Sequence, residues 1–306
     1  MIARRVVSMP LALGFSRSLS SAARSHWKNF IYRTEARHWH SLWCRWHPSG
    51  SLLQKFHAER IFEPLGGGMG CTQRNVYHYE DGTVGEGPLC GPWVICEDVC
   101  STEVGIVHPA LQGMTTLALP GGPSAWCWKH MREGEPCAVE LFLHGDHLRM
   151  SAGIVHAPDG VLQHTALIRE DSQGRWPRDG WSASTEAQLV SSTRDGLAAL
   201  GISSTESAHG NAVYADLRQE SLSGIEFDRT TGSAGPGDCI MLCGDSAEDA
   251  VMITTPRQLV TGVPFGSAVA WRPRESRNLQ MVEAFWGGTG ALKGVHHLVF
   301  PILDVA

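Results

Sequence analysis

Residues 140–170 read ELFLHGDHLRMSAGIVHAPDGVLQHTALIRE, three runs of alternating apolar and polar residues separated by turn-forming residues. Gly145-Asp146 stands at the first joint and Pro158-Asp159-Gly160 at the second. Alternation with a period of two is typical of strands, and such joints are typical of hairpins. The stretch therefore predicts an antiparallel meander. We expect one buried face from its apolar residues, namely Leu141, Leu143, Leu148, Ile154, Leu162, Leu167 and Ile168.

The composition extends this prediction to the whole chain. Of 306 residues, 42% are hydrophobic and only 18% are charged, with 34 glycines and 16 prolines. So many turn residues and so few charges favour short strands over solvated helices. The first half contains roughly eight to ten short segments with strand patterns, enough to close a barrel. We predict an all-β fold built on an antiparallel β-barrel.

The strand pattern also divides the chain. It runs from about residue 39 to 172, fades in a Ser-, Gly- and Arg-rich stretch, and returns at 223. We predict an N-terminal barrel over 26–172, an irregular linker over 173–222, and a smaller β-barrel-like domain over 223–306. Apolar residues spaced three and four apart within 26–34 predict a short helix before the first strand.

The N-terminal residues have the composition of an organellar leader. Arginines, serines and alanines dominate, and no acidic residue occurs before Glu35. We predict a transit peptide over residues 1–25. The apolar run from Val6 to Phe15 is interrupted by Pro10 and is shorter than the roughly 18 residues that span a bilayer. A secretory signal and an uncleaved basic tail are the alternatives.

The charge balance argues against nucleic acid as a partner. Removing the four arginines of the predicted leader from the 25 basic residues leaves 21, against 31 acidic ones. An acidic protein repels the phosphate backbone. We expect no nucleic-acid partner and no transmembrane span.

The order of several short motifs resembles the cyanobacterial and plastid family of domain of unknown function 3598. The motifs are His38-Trp39-His40-x-x-Trp43, Pro48-x-Gly50, Arg60-x-Phe62, Gln73-x-Asn75-x-Tyr77-x-Tyr79-x-Asp81-Gly82, Glu140-Leu141-Phe142, Arg149-x-Ser151-x-Gly153-Ile154-Val155 and Ile168-Arg169-Glu170. The match spans about 26–172 well and 223–300 loosely. The resemblance implies a lipocalin-like (calycin) fold with two barrel domains and a chloroplast location, with the mitochondrion as the alternative, but it implies no reaction. The chain departs from the family at Trp46-His47 and in the Cys-rich stretch 90–100.

Polar residues on strands provide the candidate ligand site. Gln73, Asn75 and Tyr77 alternate along one strand and therefore project to one side. If that side faces the barrel interior, their polar groups meet a ligand, and Arg149 binds its anionic or carbonyl end. The alternatives are a solvated outer face for the strand and an ion pair of Arg149 with Glu140 or Glu170. We include Trp39, Trp43 and His40 among the ligand-binding candidates, because eleven tryptophans can fill a barrel or line its cavity.

The sequence assigns no metal ligand and no cofactor. His38 and His40 share one face of a strand, but they bind one ion only if a neighbouring strand supplies a third ligand. No H-E-x-x-H pattern is present, and Cys90, Cys96 and Cys100 lack a C-x-x-C knuckle.

Three classes of function follow. The preferred one is a plastid protein that binds a hydrophobic or amphipathic small molecule such as a pigment, an isoprenoid or an acyl lipid. The second is a cyclase, isomerase or chromophore-lyase-type enzyme on the same barrel, with Arg149, Glu140 or His40 as its titratable group. The third is an assembly factor for a photosynthetic protein complex.

The leader predicts the location of the protein. We expect a reporter fused to residues 1–40 to enter a plastid, because the segment is basic, hydroxylated and almost free of acids. Replacing Arg4, Arg5 and Arg17 by Glu should abolish import, as scored by fluorescence microscopy and by protease protection in isolated organelles. Cytosolic or secretory localisation of the unmodified fusion contradicts the prediction.

Overall fold

A computed structural model describes residues 19–34, 38–85, 90–111, 113–145, 147–174, 187–200, 207–225, 238–244, 250–273, 276 and 278–302. Most of the predicted transit peptide, residues 1–18, lies outside these ranges. The helix predicted over 26–34 is present and longer, because α1 spans Ser21–Thr34. Ser20 precedes it and accepts a hydrogen bond from the Ala23 amide at 3.2 Å. A leader boundary near residue 25 therefore falls inside α1.

The first half of the chain forms one antiparallel sheet, which confirms the all-β prediction. Its strands are β1 (His38–Trp46), β2 (Leu52–Pro64), β3 (Gly70–Tyr79), β4 (Val84–Gly85), β5 (Trp93–Cys96), β6 (Ser101–Thr102), β7 (Gly105–Val107), β8 (Met114–Ala118), β9 (Ser124–Trp128), β10 (Cys137–His144), β11 (Leu148–His156) and β12 (Leu162–Asp171). A 3-10 turn (Gly66–Gly68) and a short helix α2 (Glu97–Cys100) lie between strands.

The strand order of this sheet is β4-β3-β2-β1-β12-β11-β10-β9-β8-β7-β6, with β5 paired to β3. Within the described residues no strand pairing joins the two ends, so the sheet is an open barrel. Aromatic contacts lie between the two ends of the sheet. The ring centre of His108 is 5.2 Å from that of Trp93 in β5 and 5.0 Å from that of Trp126 in β9. Helix α1 covers one end of the concave face, where Trp27 and Phe30 pack with Phe62 of β2.

The predicted meander is β10, β11 and β12, and both of its faces are buried. Leu141 and Leu167 point away from the barrel interior, whereas Ile168 packs inside it with Trp43 and Phe56. The expectation that Leu167 and Ile168 share one face is therefore wrong. Adjacent residues of a strand must point to opposite sides, and here each side is buried.

The second half forms another antiparallel sheet. Its strands are β13 (Ala187–Leu189), β14 (Ala208–Tyr214), β15 (Gln219–Ile225), β16 (Asp238–Cys243), β17 (Val251–Pro256), β18 (Phe265–Trp271), β19 (Asn278–Trp286) and β20 (Leu292–Pro301), in the order β13-β16-β17-β18-β19-β20-β14-β15, with helix α3 (Thr193–Ala199) beside β16. The segment 173–222, expected to be irregular, thus supplies β13, α3, β14 and part of β15. β14 of this segment pairs with β20 along six residues. Such a long-range contact leaves no sign in the local periodicity of the sequence. The division into two folding domains stays a prediction.

The two sheets share one hydrophobic core. Trp46 and Leu141 of the first sheet lie in the same buried cluster as Trp271, Val282 and Trp286 of the second. None of the helices in the described ranges has both the length and the apolar character needed to cross a bilayer.

Trp286 anchors this shared core. Its indole nitrogen donates to the Trp128 carbonyl oxygen at 3.0 Å, and its ring stacks on Phe265 at 4.7 Å. We expect Trp286→Ala to lower the free energy of unfolding by about 3–5 kcal/mol, since it leaves a cavity between the sheets. Urea unfolding followed by far-UV circular dichroism measures this. As the control, Val260→Ala at a 51% exposed position should change the value by less than about 0.5 kcal/mol. If the two variants lose the same free energy of unfolding, the shared core is contradicted.

Candidate functional site

The candidate site lies on the concave face of the first sheet. Alternation places every second residue of β1, β2 and β3 on that face. Trp39, Ser41 and Trp43 of β1 therefore project to the same side as Arg60 of β2 and Asn75 of β3, and all five side chains are buried.

Two arginines and two glutamates form an ionic network across this face, in which three side chains are buried and Glu140 is half-buried. Arg60 contacts Glu140 (Nη2 to Oε1, 2.6 Å) and Glu170 (Nε to Oε1, 3.2 Å). Arg149 pairs with the other oxygen of Glu170. Ser151 donates to Oε1 of Glu140 at 2.9 Å. The network is balanced in charge and connects β2, β10, β11 and β12, so each buried charge has a partner.

Aromatic rings enclose the two guanidinium groups. The guanidinium carbon of Arg149 lies 4.5 Å from the ring centre of Trp39 and 5.3 Å from that of Phe142. The same carbon of Arg60 lies 5.1 Å from Trp43 and 5.6 Å from Phe142. These cation–π contacts partly replace lost hydration. Burial acts to lower the pKa of Arg60, but the two neighbouring glutamates raise it above its usual range.

A pocket of about 160 Å³ opens beside the network. Three tryptophans form its apolar walls, and the polar wall combines Arg60 and Glu140 with side chains of β3. Its lining is Trp43, Arg60, Gln73, Asn75, Tyr77, Trp93, His108, Ala110, Leu111, Met114, Trp126 and Glu140. A smaller inner cavity shares Arg60, Gln73 and Trp126 with it and is also lined by Phe30 of α1.

A directional hydrogen-bond chain runs along β3 at the pocket wall. The Gln73 amide (Nε2) donates to Oδ1 of Asn75 at 3.3 Å, and Nδ2 of Asn75 donates to the Tyr77 hydroxyl at 3.1 Å. Burial raises the pKa of Tyr77, although nearby Arg60 opposes this rise, so the phenol keeps its proton at neutral pH. Burial lowers the pKa of His108, the ring across the pocket.

The sequence-predicted residues separate into three groups. Gln73, Asn75, Tyr77 and Trp43 line the pocket together, so the solvated alternative for this strand is wrong. Arg149 lines the inner cavity rather than the pocket and is 2% exposed. Its ion pair with Glu170, one of the alternatives stated above, is present.

Trp39 and His40 complete this comparison. Trp39 is buried beneath Arg149. His40 points to the opposite, outer face of β1, because it is one residue out of phase with Trp39. It cannot share a ligand with the pocket.

Sequence reasoning missed Arg60, Trp93, His108 and Trp126 as pocket residues. The sequence did contain a sign of Arg60. It follows Phe56 and Ala58 at a spacing of two residues, so a charged residue occupies the side of β2 that is otherwise buried. The other three come from separate strands and loops, and only the curvature of the open sheet brings them together.

The sequence profile described as "Domain of unknown function (DUF3598), N-terminal" matches residues 23–175, half of the chain. Among solved structures, a DUF3598 protein of unknown function from Nostoc punctiforme PCC 73102 aligns over 91% of this chain and 99% of its own, with a TM-score of 0.57 and 14% identity. The S-type phycobiliprotein lyase CPES from Guillardia theta aligns over 53% of this chain and 99% of its own, with a TM-score of 0.28 and 13% identity. None of the curated proteins matches the sequence. The Nostoc structure supports the fold alone.

The ionic network predicts an effect on stability. Glu170 is fully buried and contacts both Arg60 and Arg149. We expect Glu170→Ala to lower the free energy of unfolding by about 3–5 kcal/mol, because it leaves buried positive charge uncompensated. The matched control is Glu220→Ala, which breaks an exposed pair with Arg218 and should change the value by less than about 1 kcal/mol. If urea unfolding gives the two variants the same loss, the network does not hold the strands.

Proposed function

Because the chain belongs to the DUF3598 family, whose description names no ligand, we propose from its own geometry that it binds an amphipathic small molecule. The proposed site is the pocket on the concave face of the first sheet. The ligand places an apolar, planar part between Trp43 and Trp126 and a carbonyl or carboxylate end at Tyr77 and Arg60.

The direction of the hydrogen-bond chain supports this proposal most strongly. Tyr77 accepts from Asn75, which in turn accepts from Gln73. The hydroxyl hydrogen of Tyr77 is thus left to donate, and the phenol lines the pocket. A carbonyl or carboxylate oxygen is the group that such a donor binds.

Arg60 adds positive charge at the same wall. Its contacts with Glu140 and Glu170 involve Nη2 and Nε, two of its three nitrogens. The guanidinium is planar and permanently charged, so its position beside Tyr77 favours a ligand oxygen that carries negative charge. Glu140 already accepts hydrogen bonds from Arg60 and Ser151, a role that suits an anchor for Arg60 better than a proton donor to substrate.

The apolar walls suit a flat ligand. Trp43, Trp93 and Trp126 come from three different strands and present large, rigid surfaces with few rotatable bonds. Met114 and Leu111 fill the remaining wall. At about 160 Å³ the pocket is smaller than the roughly 300–1,000 Å³ of drug-sized sites. It therefore holds a compact ring or the end of a longer molecule.

This chemistry is compatible with the pigment, isoprenoid and acyl-lipid ligands that the sequence favours, and it favours those with a planar end. The plastid location remains part of the proposal. It is supported by the basic leader composition and by the family resemblance, and the import experiment tests it separately. Absorbance and mass spectra of protein isolated from the organelle identify a natural ligand directly.

A matched pair of probes tests the proposed site. We expect 2-naphthoic acid to bind more tightly than 2-methoxynaphthalene in isothermal titration calorimetry, because only the acid offers a charged acceptor to Tyr77 and Arg60. Tyr77→Phe should weaken binding of the acid by about 1.5–3 kcal/mol, the usual value of one hydrogen bond to a charged group. It should leave the ether almost unchanged.

Tyr214→Phe is the control, because its hydroxyl bonds Glu220 on the second sheet, far from the pocket residues in the strand order. A loss of affinity for both probes in Tyr77→Phe, or an equal loss in Tyr214→Phe, contradicts the assigned role. Failure of both probes to bind the unmodified protein contradicts the site.

A further inference from the structure

Three polar side chains from two neighbouring strands meet on the outer face of the first sheet. His38 and His40 project from the same side of β1, and Glu59 of β2 is the direct partner of His40 in the strand register. Their candidate ligand atoms, one from each residue, all lie within 4.8 Å of one another. This face is opposite to the proposed pocket.

The distances suit a shared metal ion. His38 Nε2 lies 2.7 Å from Oε2 of Glu59, and the imidazole rings of His38 and His40 are 4.5 Å apart between centres. Imidazole nitrogens and carboxylate oxygens lie about 2.0–2.2 Å from zinc, so two ligands of one ion are separated by at most roughly 4 Å. Small rotations of the imidazole rings bring all three atoms within that limit.

His78 of β3 holds the carboxylate in place. Its Nε2 lies 2.9 Å from Oε1 of Glu59, the oxygen that does not contact His38. A carboxylate ligand fixed in this way by an outer partner is pre-oriented for the metal. His78 is thus a positioning residue.

The cluster is accessible, whereas the rest of this face of β1 is not. The side chains of His38, Glu59 and His78 are 46%, 22% and 38% exposed. Leu42 and Cys44, further along the same side of β1, are buried in the core shared with the second sheet. The first residues of β1 therefore lie beyond the part that the second sheet covers, and an ion can reach them from solvent.

We propose that His38, His40 and Glu59 bind a divalent transition metal ion, with Glu59 oriented by His78. Two imidazoles and one carboxylate favour zinc, copper or nickel over magnesium and calcium, which prefer sites made of oxygen alone. Three protein ligands leave a fourth position for water or another small ligand. A bound ion also links β1 to β2, so it should stabilise the fold.

The sequence pointed to His38 and His40 of this site but not to Glu59 or His78. Because the strand spacing of His38 and His40 requires a third ligand from a neighbouring strand, no metal ligand was assigned. Glu59 of β2 supplies that ligand. Its identity depended on the register of β1 with β2, which places Glu59 opposite His40.

Calorimetry on the full chain without a purification tag tests the proposal. Titration with ZnCl₂ should give one site per chain, and magnesium should give none. His40→Ala and Glu59→Gln should each weaken zinc binding by more than the roughly 10–100-fold that loss of an outer-shell partner produces. His78→Ala should weaken it within that range. His130→Ala, an exposed histidine outside the cluster, should leave it unchanged.

Electron paramagnetic resonance of bound Cu²⁺ distinguishes the roles. The unmodified protein should show hyperfine coupling to two imidazole nitrogens, and His38→Ala and His40→Ala should each reduce this to one. His78→Ala should keep both, because it acts through Glu59. Far-UV circular dichroism confirms that each variant is folded. Absence of zinc binding by the unmodified protein, or unchanged affinity in both His40→Ala and Glu59→Gln, overturns the proposal.

Discussion

The burial of both faces of the central strands is the constraint on which the rest of this structure depends. Side chains alternate strictly along a strand, so each strand of the meander must meet two different environments. Leu141, Met150 and Leu167 meet the second sheet, whereas Phe142, Arg149 and Ile168 meet the barrel interior. A one-residue slip of any strand would exchange the apolar and the charged sets.

The interior set is unusual because it contains four charges. Removing an ion from water is expensive, and an ion pair in a protein interior offsets that loss only with good geometry and further hydrogen bonds. Here each guanidinium has at least one carboxylate partner and an aromatic ring against its face. Buried ion pairs often add no net stability compared with an apolar core, but this network links β2, β10, β11 and β12 to one another. The network also forms the polar side of the pocket, through Arg60 and Glu140, and it lies between the pocket and the inner cavity.

The same alternation gives β1 and β2 two polar regions on opposite faces. Arg60 points into the pocket, and Glu59, one residue before it, points outwards to the two histidines of β1. Neither region requires a loop, so both are held by paired backbone. The outer region is accessible only because the second sheet covers the middle and end of β1 and leaves its beginning exposed.

The sequence by itself determined the strands of the meander, the all-β class and the row of Gln73, Asn75 and Tyr77 on one face, because these follow from local alternation. It could not decide that the charged face was inside as well, since charged residues on a strand usually face solvent and the second sheet, which covers the apolar face, is distant in sequence. Only the tertiary structure decided that Arg149 is paired with Glu170, that Arg60 is at the pocket wall, and that His40 joins Glu59 on the outside. Each of those outcomes depends on which strands are neighbours and in which register, and pairing between strands remote in sequence leaves no local pattern.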